Sequence, residues 1–279
     1  YGQYYDEVFK IYCAHKSKNS KIYILQHGLN NIYADGDFYH GNLDKKISDK
    51  FLTWGNLKKD NSLPFIFPNH NKNIYKKRNK SKKILLIMYA LNETLLKPTN
   101  GFITNTSVNQ LLSNTAINFL EKYEQKKHLN SLKNFEVKLL NLSRSNSVKK
   151  TLNYRFPSLK FYEGKKLFPE VVNNYKLSFH FFLGTPFLEA MHYNKPCILI
   201  LNRNIHVNFD NNFNQILKKL IKVNICFENV NNAIKFFHSN EQKIDHWWFS
   251  SEVQKIRKLY SHKYCANMHS INIFNKIFN

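Results

Sequence analysis

At 279 residues with 43% hydrophobic side chains, the chain is long enough to bury a sizeable core and to form about two domains of ordinary size. No apolar run reaches membrane-spanning length, the polar and acidic start YGQYYDEVFK does not read as a signal peptide, and Cys13, Cys197, Cys226 and Cys265 are scattered without paired spacing. An integral membrane protein and a disulfide-stapled secreted domain are therefore set aside, and reduced thiols in the cytoplasm are expected.

The net charge of +23 suggests nucleic acid, an anionic membrane face or a phosphorylated ligand. Lys and Asn are abundant throughout, however, and the chain has neither an RNA-binding motif with paired aromatics nor a helix-turn-helix signature, so no specific nucleic-acid partner is expected. The densest basic run, Lys72–Lys83 (KNIYKKRNKSKK), lies between two apolar segments. It reads first as an exposed linker and second as a peripheral contact with the inner leaflet of a membrane.

In chain order, Asp6 to Lys16 reads as a helix with Val8, Ile11 and Tyr12 on its apolar face, and Lys21 to Leu25 as a strand ending at Gln26-His27-Gly28. A His delivered to the carboxyl end of a strand and followed by Gly is placed where α/β enzymes keep functional groups, although a lone His is more often structural. Asn30 to Asp44 reads as a loop, with Tyr33, Asp35, Asp37, Tyr39 and His40 able to line a cleft. Ile47 to Gly55 holds a short strand that closes on Trp54-Gly55, and Lys83 to Tyr89 (KILLIMY) is a buried strand that opens a second unit. Asn105 to Gln125 carries its apolar residues at helical spacing. Glu136 to Leu142 is the next strand, ending at Ser143-Arg144-Ser145, where an arginine at a sheet edge could pair with phosphate or sit in water. Leu159 to Tyr162 (strand) and Leu167 to Tyr175 (helix) follow.

The most informative stretch is Leu177 to Leu201, LSFHFFLGTPFLEAMHYNKPCILIL. It reads as a strand, a turn at Gly184, a short helix capped by Thr185 with Pro186 at its first position and stopped by Pro196, and a strand buried on both faces. Such a turn aims backbone N–H groups and the positive end of a helix dipole at the carboxyl edge of a sheet, a place to hold phosphate. Glu189 lies one turn in. It does not fit a capping box, so it is either a carboxylate for ribose hydroxyls or a solvated residue on an amphipathic helix. Beyond it, Phe209 to Leu220, Val230 to His238 and a segment from Ser250 read as helices, and Val223 to Phe227 as a strand. The alternation implies an α/β fold with a doubly wound parallel sheet. There is no P-loop, glycine-rich dinucleotide fingerprint, nucleophile elbow, metal-binding His/Glu spacing or internal repeat.

Three blocks together resemble a known group: Gln26-His27-Gly28 with Ile47 to Gly55, Gly184 to Ala190 with Asn194-Lys195-Pro196, and Trp247-Trp248 with Ser251 to Gln254. In that order they are similar to the surface-carbohydrate transferases of bacterial polysaccharide gene clusters, with a GT-B-like glycosyltransferase fold. The similarity covers nearly the whole chain and is to the later half of such a protein. The chain starts with Tyr, and an upstream acceptor-side domain would be truncated or encoded elsewhere.

The resemblance implies that residues 1–68 are the remainder of an amino-terminal α/β domain, 69–82 a linker, 83–229 a donor-nucleotide domain and 230–279 helices packing back. It implies that Gly184, Thr185 and Glu189 hold the phosphate and ribose of a nucleotide-activated sugar, that Arg144 neutralises the diphosphate, and that His27 is the general base or a donor to the leaving phosphate. Metal ion and cofactor are not required; the partners are the nucleotide-sugar donor and a saccharide or lipid-linked acceptor. Where family members have further glycines after Gly28, this chain has Leu29-Asn30. A sugar-nucleotide epimerase on the same scaffold, an inactive remnant and a charge-led nucleic-acid-binding protein are the alternatives.

Overall fold

A computed structural model of the chain describes residues 6–26, 28, 40–56, 61–65, 67, 81–89, 106–127, 131–140, 146–202 and 209–265. The chain folds as two units. In the first, Asp6 caps the helix Glu7–Lys16 (α1), accepting a hydrogen bond from the Phe9 amide at 2.9 Å. The strand Tyr23–Leu25 (β1) follows, then the helix His40–Ile47 (α2) and the strands Lys50–Thr53 (β2) and Ser62–Pro64 (β3). The three strands are parallel in the order β1-β2-β3, with Ile24 opposite Phe51 and Leu52 opposite Leu63. The proline sits at the end of an edge strand, where its missing N–H breaks no ladder.

The second unit holds the unbroken apolar runs, and they form the middle of its sheet. Ile84–Tyr89 (β4) is followed by the long helix Thr106–Lys127 (α3), Phe135–Leu140 (β5), the helix Asn146–Arg155 (α4) and the short strand Lys160–Phe161 (β6). Next come Phe168–Val171 (α5), Leu177–His180 (β7), Thr185–His192 (α6), Cys197–Ile200 (β8), Asn211–Lys222 (α7) and Cys226–Phe227 (β9). All six strands are parallel, in the order β6-β5-β4-β7-β8-β9. Numbered within this unit the order is 3-2-1-4-5-6, that of a Rossmann-type sheet. Val230–Asn240 (α8), Ile244–Trp248 (α9) and Ser251–Tyr264 (α10) close the chain, α10 up to Ser261 counting with this unit and His262 onward with the first.

Strand alternation decides what each face of this sheet meets. On one face Phe179 of β7 and Phe135 of β5 pack against Phe119 of α3, at ring separations of 4.7 and 6.4 Å, and Phe237 of α8 lies 5.2 Å from Phe179. On the other, His180 of β7 meets Phe168 of α5 and Phe187 of α6, each at 5.6 Å, and Tyr260 of α10 covers Phe187 at the same distance. Helices thus cover both faces, which is the doubly wound α/β arrangement that the alternating pattern predicts.

Several local expectations change. Val8, Ile11 and Tyr12 face no core: they are 78%, 70% and 56% exposed, and α1 is held by its cap and the Lys10–Glu7 pair at 2.6 Å. Residues 40–44, read as loop, form the first part of α2, and α4 and β3 were not anticipated because their apolar spacing is weak. The loop residues before 40 and the Lys72–Lys83 run as far as 80 lie outside the described residues. Gly55 has a use that its pattern did not reveal. A Cβ there would lie 2.1 Å from the Lys263 carbonyl oxygen and 2.5 Å from the Tyr264 Cα, both backbone atoms unable to step aside alone. Gly55→Ala is therefore expected to lower stability by about 3 kcal/mol, measured by urea unfolding.

Candidate functional site

Strand order reverses between β4 and β7, the two neighbours at the centre of the larger sheet. In an open parallel sheet the two crossovers diverge there and leave a crevice at the strands' carboxyl ends. From β7 the chain passes buried Phe181, half-buried Phe182 and buried Leu183 to Gly184, and α6 begins. Gly184, extended at φ −135° and ψ 175°, is the cap; Thr185 is already helical and Pro186 is second, one place later than the sequence suggests. Phe187 and Leu188 donate to the Gly184 carbonyl at 3.0 and 3.3 Å, and Pro186 has no N–H. The helix itself thus leaves the Thr185 amide, at the positive end of its dipole, without an intrahelical acceptor. A Cβ on Gly184 would come 2.2 Å from the Phe182 ring, so the glycine makes room for that ring and not for a positive φ.

Thr185 and Glu189, four residues apart, share one helix face, so the structure brings three of the sequence-derived residues together at the switch point. Thr185 is half-buried. Glu189 is 5% exposed, which removes the reading of it as a solvated carboxylate. His27 and Arg144 lie outside the described residues. Gly28 has φ +80°, and the buried Gln26 carboxamide ties its turn down: Nε2 donates to the Gly28 carbonyl at 2.9 Å and Oε1 accepts from the Trp54 amide at 2.8 Å. Gln26 enters the sequence reading only as part of the Gln26-His27-Gly28 block and without a role of its own, because a lone Gln carries no local signal.

The far end of α6 is held by residues distant in the chain. The helix ends at His192, short of Pro196, in a turn where Asn194 is left-handed (φ 59°), Lys195 N donates to Ala190 O at 2.8 Å and Asn194 N to Met191 O at 3.4 Å. Trp248 Nε1 donates to the Asn194 carbonyl (3.1 Å) and Oδ1 (3.0 Å), and Gln254 Nε2 donates to the same Oδ1 at 2.9 Å. Arg257, buried and aligned by Gln254 Oε1 at 3.0 Å, donates to Met191 O at 2.9 Å, joined by Ser261 Oγ at 3.1 Å. A cation on these last carbonyls complements the negative end of the dipole. Burial pushes the Lys195 ammonium down to about 7, while the Asp245 carboxylate pulls it up.

His180, at the carboxyl end of β7, is no proton shuttle. It is buried, its Nε2 lies 2.9 Å from Ser178 Oγ, and loss of solvent pushes its pKa down to about 3. The unfolded chain takes up this proton below its ordinary 6.5, and the folded chain only near 3. The stability that His180 contributes is thus present above pH 6.5 and lost as pH falls toward 3, at up to about 1.4 kcal/mol per unit. Urea unfolding across that window should show a shallower acid slope for His180→Gln than for the wild type.

No curated protein matches the chain. The family model described as LIC12162 family transferase matches residues 2–275, nearly the whole length, and thus both sheets, the α6 turn and the tryptophan pair. With a Rossmann-type sheet, a helix entering its switch point and a family match over both units, this chain belongs to the LIC12162 family of transferases.

Proposed function

We propose that this transferase moves a sugar or related group from a nucleotide-activated donor to a cell-surface polysaccharide precursor, as GT-B glycosyltransferases do. The observation that carries the reading is the placement of the Gly184-Thr185 turn at the point where strand order reverses, on a chain that belongs to a transferase family. The diphosphate of the donor sits against the Thr185 amide and the dipole of α6, and Arg144 neutralises its remaining charge. Glu189, at the bottom of that face, accepts hydrogen bonds from the ribose hydroxyls. His27 takes the proton from the acceptor hydroxyl as it attacks the anomeric carbon, or donates to the departing phosphate.

Leaving-group charge is then carried by oriented dipoles and arginine, and the chemistry calls for neither a metal ion nor a cofactor. The acceptor is a saccharide or a lipid-linked saccharide on the cytoplasmic side, and the basic Lys72–Lys83 run suits a peripheral contact with an anionic inner leaflet. No helix among the described residues is long and apolar enough to cross a membrane.

Two measurements test the reading. In a calorimetric and thermal-shift panel of UDP, GDP, CMP and their sugar conjugates, one base series should raise the melting temperature, by about 2.7 kcal/mol of added stability at a hundredfold excess over Kd. Glu189→Gln, which keeps the shape of the buried side chain, should weaken that ligand by about tenfold. Equal affinity in both proteins removes Glu189 from the site, and no response to any nucleotide sinks the donor assignment. With the responding donor in hand, His27→Ala should slow transfer by about 10² or more.

A further inference from the structure

Helix α1 has no buried residue and makes no extensive contact with any other described helix or strand. Helical spacing gathers Val8, Ile11 and Tyr12 on one of its faces, with Phe9 at the border, and these side chains are 78%, 70%, 56% and 42% exposed. A helix of a globular protein ordinarily turns such a strip onto a core, because each apolar side chain left in water forfeits the stabilisation that burial gives it.

The charges are arranged around that strip. Both acids at the start of the helix are committed: Asp6 accepts from the Phe9 amide, and Glu7 pairs with Lys10 at 2.6 Å. Lys10 and Cys13, one turn apart and half-buried, mark the most covered side of the helix. At the carboxyl end Lys16 holds its ammonium 5.9 Å from the centre of the Tyr12 ring, and Lys18 and Lys21 follow, all three exposed. An apolar strip that ends in cations beside an amphipathic ring matches the two layers of a membrane interface, acyl chains below and lipid phosphates above. Other occupants fit less well. Four side chains on one ten-residue helix offer less than the roughly 800 Å² a side that a stable protein interface buries, and a second copy would set +23 against +23.

We infer that α1 is the segment by which this protein enters an anionic membrane surface, with Val8, Ile11 and Tyr12 among the acyl chains and Lys16, Lys18 and Lys21 at the lipid phosphates. The inference deepens the peripheral contact proposed above, on which it rests for the leaflet that is met, and gives that basic contact an apolar anchor. It does not depend on which nucleotide binds at α6.

The test sediments the whole chain with vesicles of phosphatidylcholine alone and with vesicles in which about a third of the lipid is phosphatidylglycerol. The wild type should pellet with the anionic vesicles and not with the neutral ones. Val8→Ser combined with Ile11→Ser should weaken that binding by about tenfold or more, and should melt no lower than the wild type because neither side chain is buried. A fluorophore on Val8→Cys, in a Cys13→Ser background whose remaining native cysteines are all buried, should shift its emission to the blue on the same vesicles. Wild type left in the supernatant with anionic vesicles overturns the inference, as does an unshifted fluorophore. So does undiminished binding by the double variant, which would leave the contact to the 72–83 run alone. A fall of about 4 °C or more in the melting temperature of the double variant overturns it too, since the strip would then be packed within the fold. A lipid-free dimer of the wild type that the double variant splits has the same effect, by making the strip an interface between copies. The nucleotide panel contains no lipid, so the two proposals fail separately. Vesicle binding with no nucleotide response retires the donor assignment and leaves α1 standing, and the reverse pattern retires α1 alone.

Discussion

The second unit depends most on how Asn194 is held. This residue sits in a left-handed turn, with its carbonyl and its side-chain oxygen both accepting from the Trp248 indole and Gln254 on its amide oxygen as well. One turn back, the Met191 carbonyl accepts from buried Arg257 and from Ser261. Each of these partners, once buried, would lose about 1–3 kcal/mol if left unpaired, so the turn and the closing helices stabilise one another or fail together. The axial position of α6, and with it the Thr185 amide at its opposite end, is set by this grip.

The same device appears twice. α7 also ends with an asparagine in the left-handed region, Asn224 at φ 61°, and with the paired bonds from Ile225 N to Leu220 O and Asn224 N to Ile221 O, at 2.9 and 3.0 Å. Trp247 donates to the carbonyl of Val223, the last residue before that asparagine. Two adjacent tryptophans on α9 thus serve two helix ends, those that feed β8 and β9. This gives a physical reason for a Trp-Trp pair in a chain with only three tryptophans: bulk to fill the space between two helix termini, and one N–H for each exposed carbonyl. Arg257 belongs to the same arrangement; desolvation lowers its pKa, and the nearby Cys197 acts in the opposite direction.

The first unit solves a similar problem with smaller means. Buried polar side chains at the ends of β1 and β2 turn the chain without leaving backbone groups bare: Gln26 spans from Gly28 to the Trp54 amide, and Thr53 bonds the Gly55 and Leu63 carbonyls. At the other end of the strands Asp49 accepts from the Ile22 amide at 2.7 Å, and Asn61 donates to the Lys45 and Ser48 carbonyls. Among the described residues of this unit, the Trp54 indole N–H and the Ser48 and Ser62 hydroxyls are the buried side-chain groups left without a hydrogen-bond partner.

Period and punctuation alone were enough for much of this. Apolar runs of four to six residues such as Ile84–Tyr89 and Cys197–Ile200 could only be strands covered on both sides, the Gly-Thr-Pro turn could only open a helix, and the alternation of the two implied parallel winding. Local chemistry of this kind acts over a few residues, so it is written in contiguous sequence. Folding had to decide the rest. Whether Val8 and Ile11 meet a core, why Gly55 has no side chain, that Glu189 is buried, and which carbonyls the two indoles reach all depend on partners far along the chain, 54 residues away for Trp248 and Asn194. Burial and hydrogen-bond satisfaction are properties of the assembled interior, where one position is defined only once the others are in place.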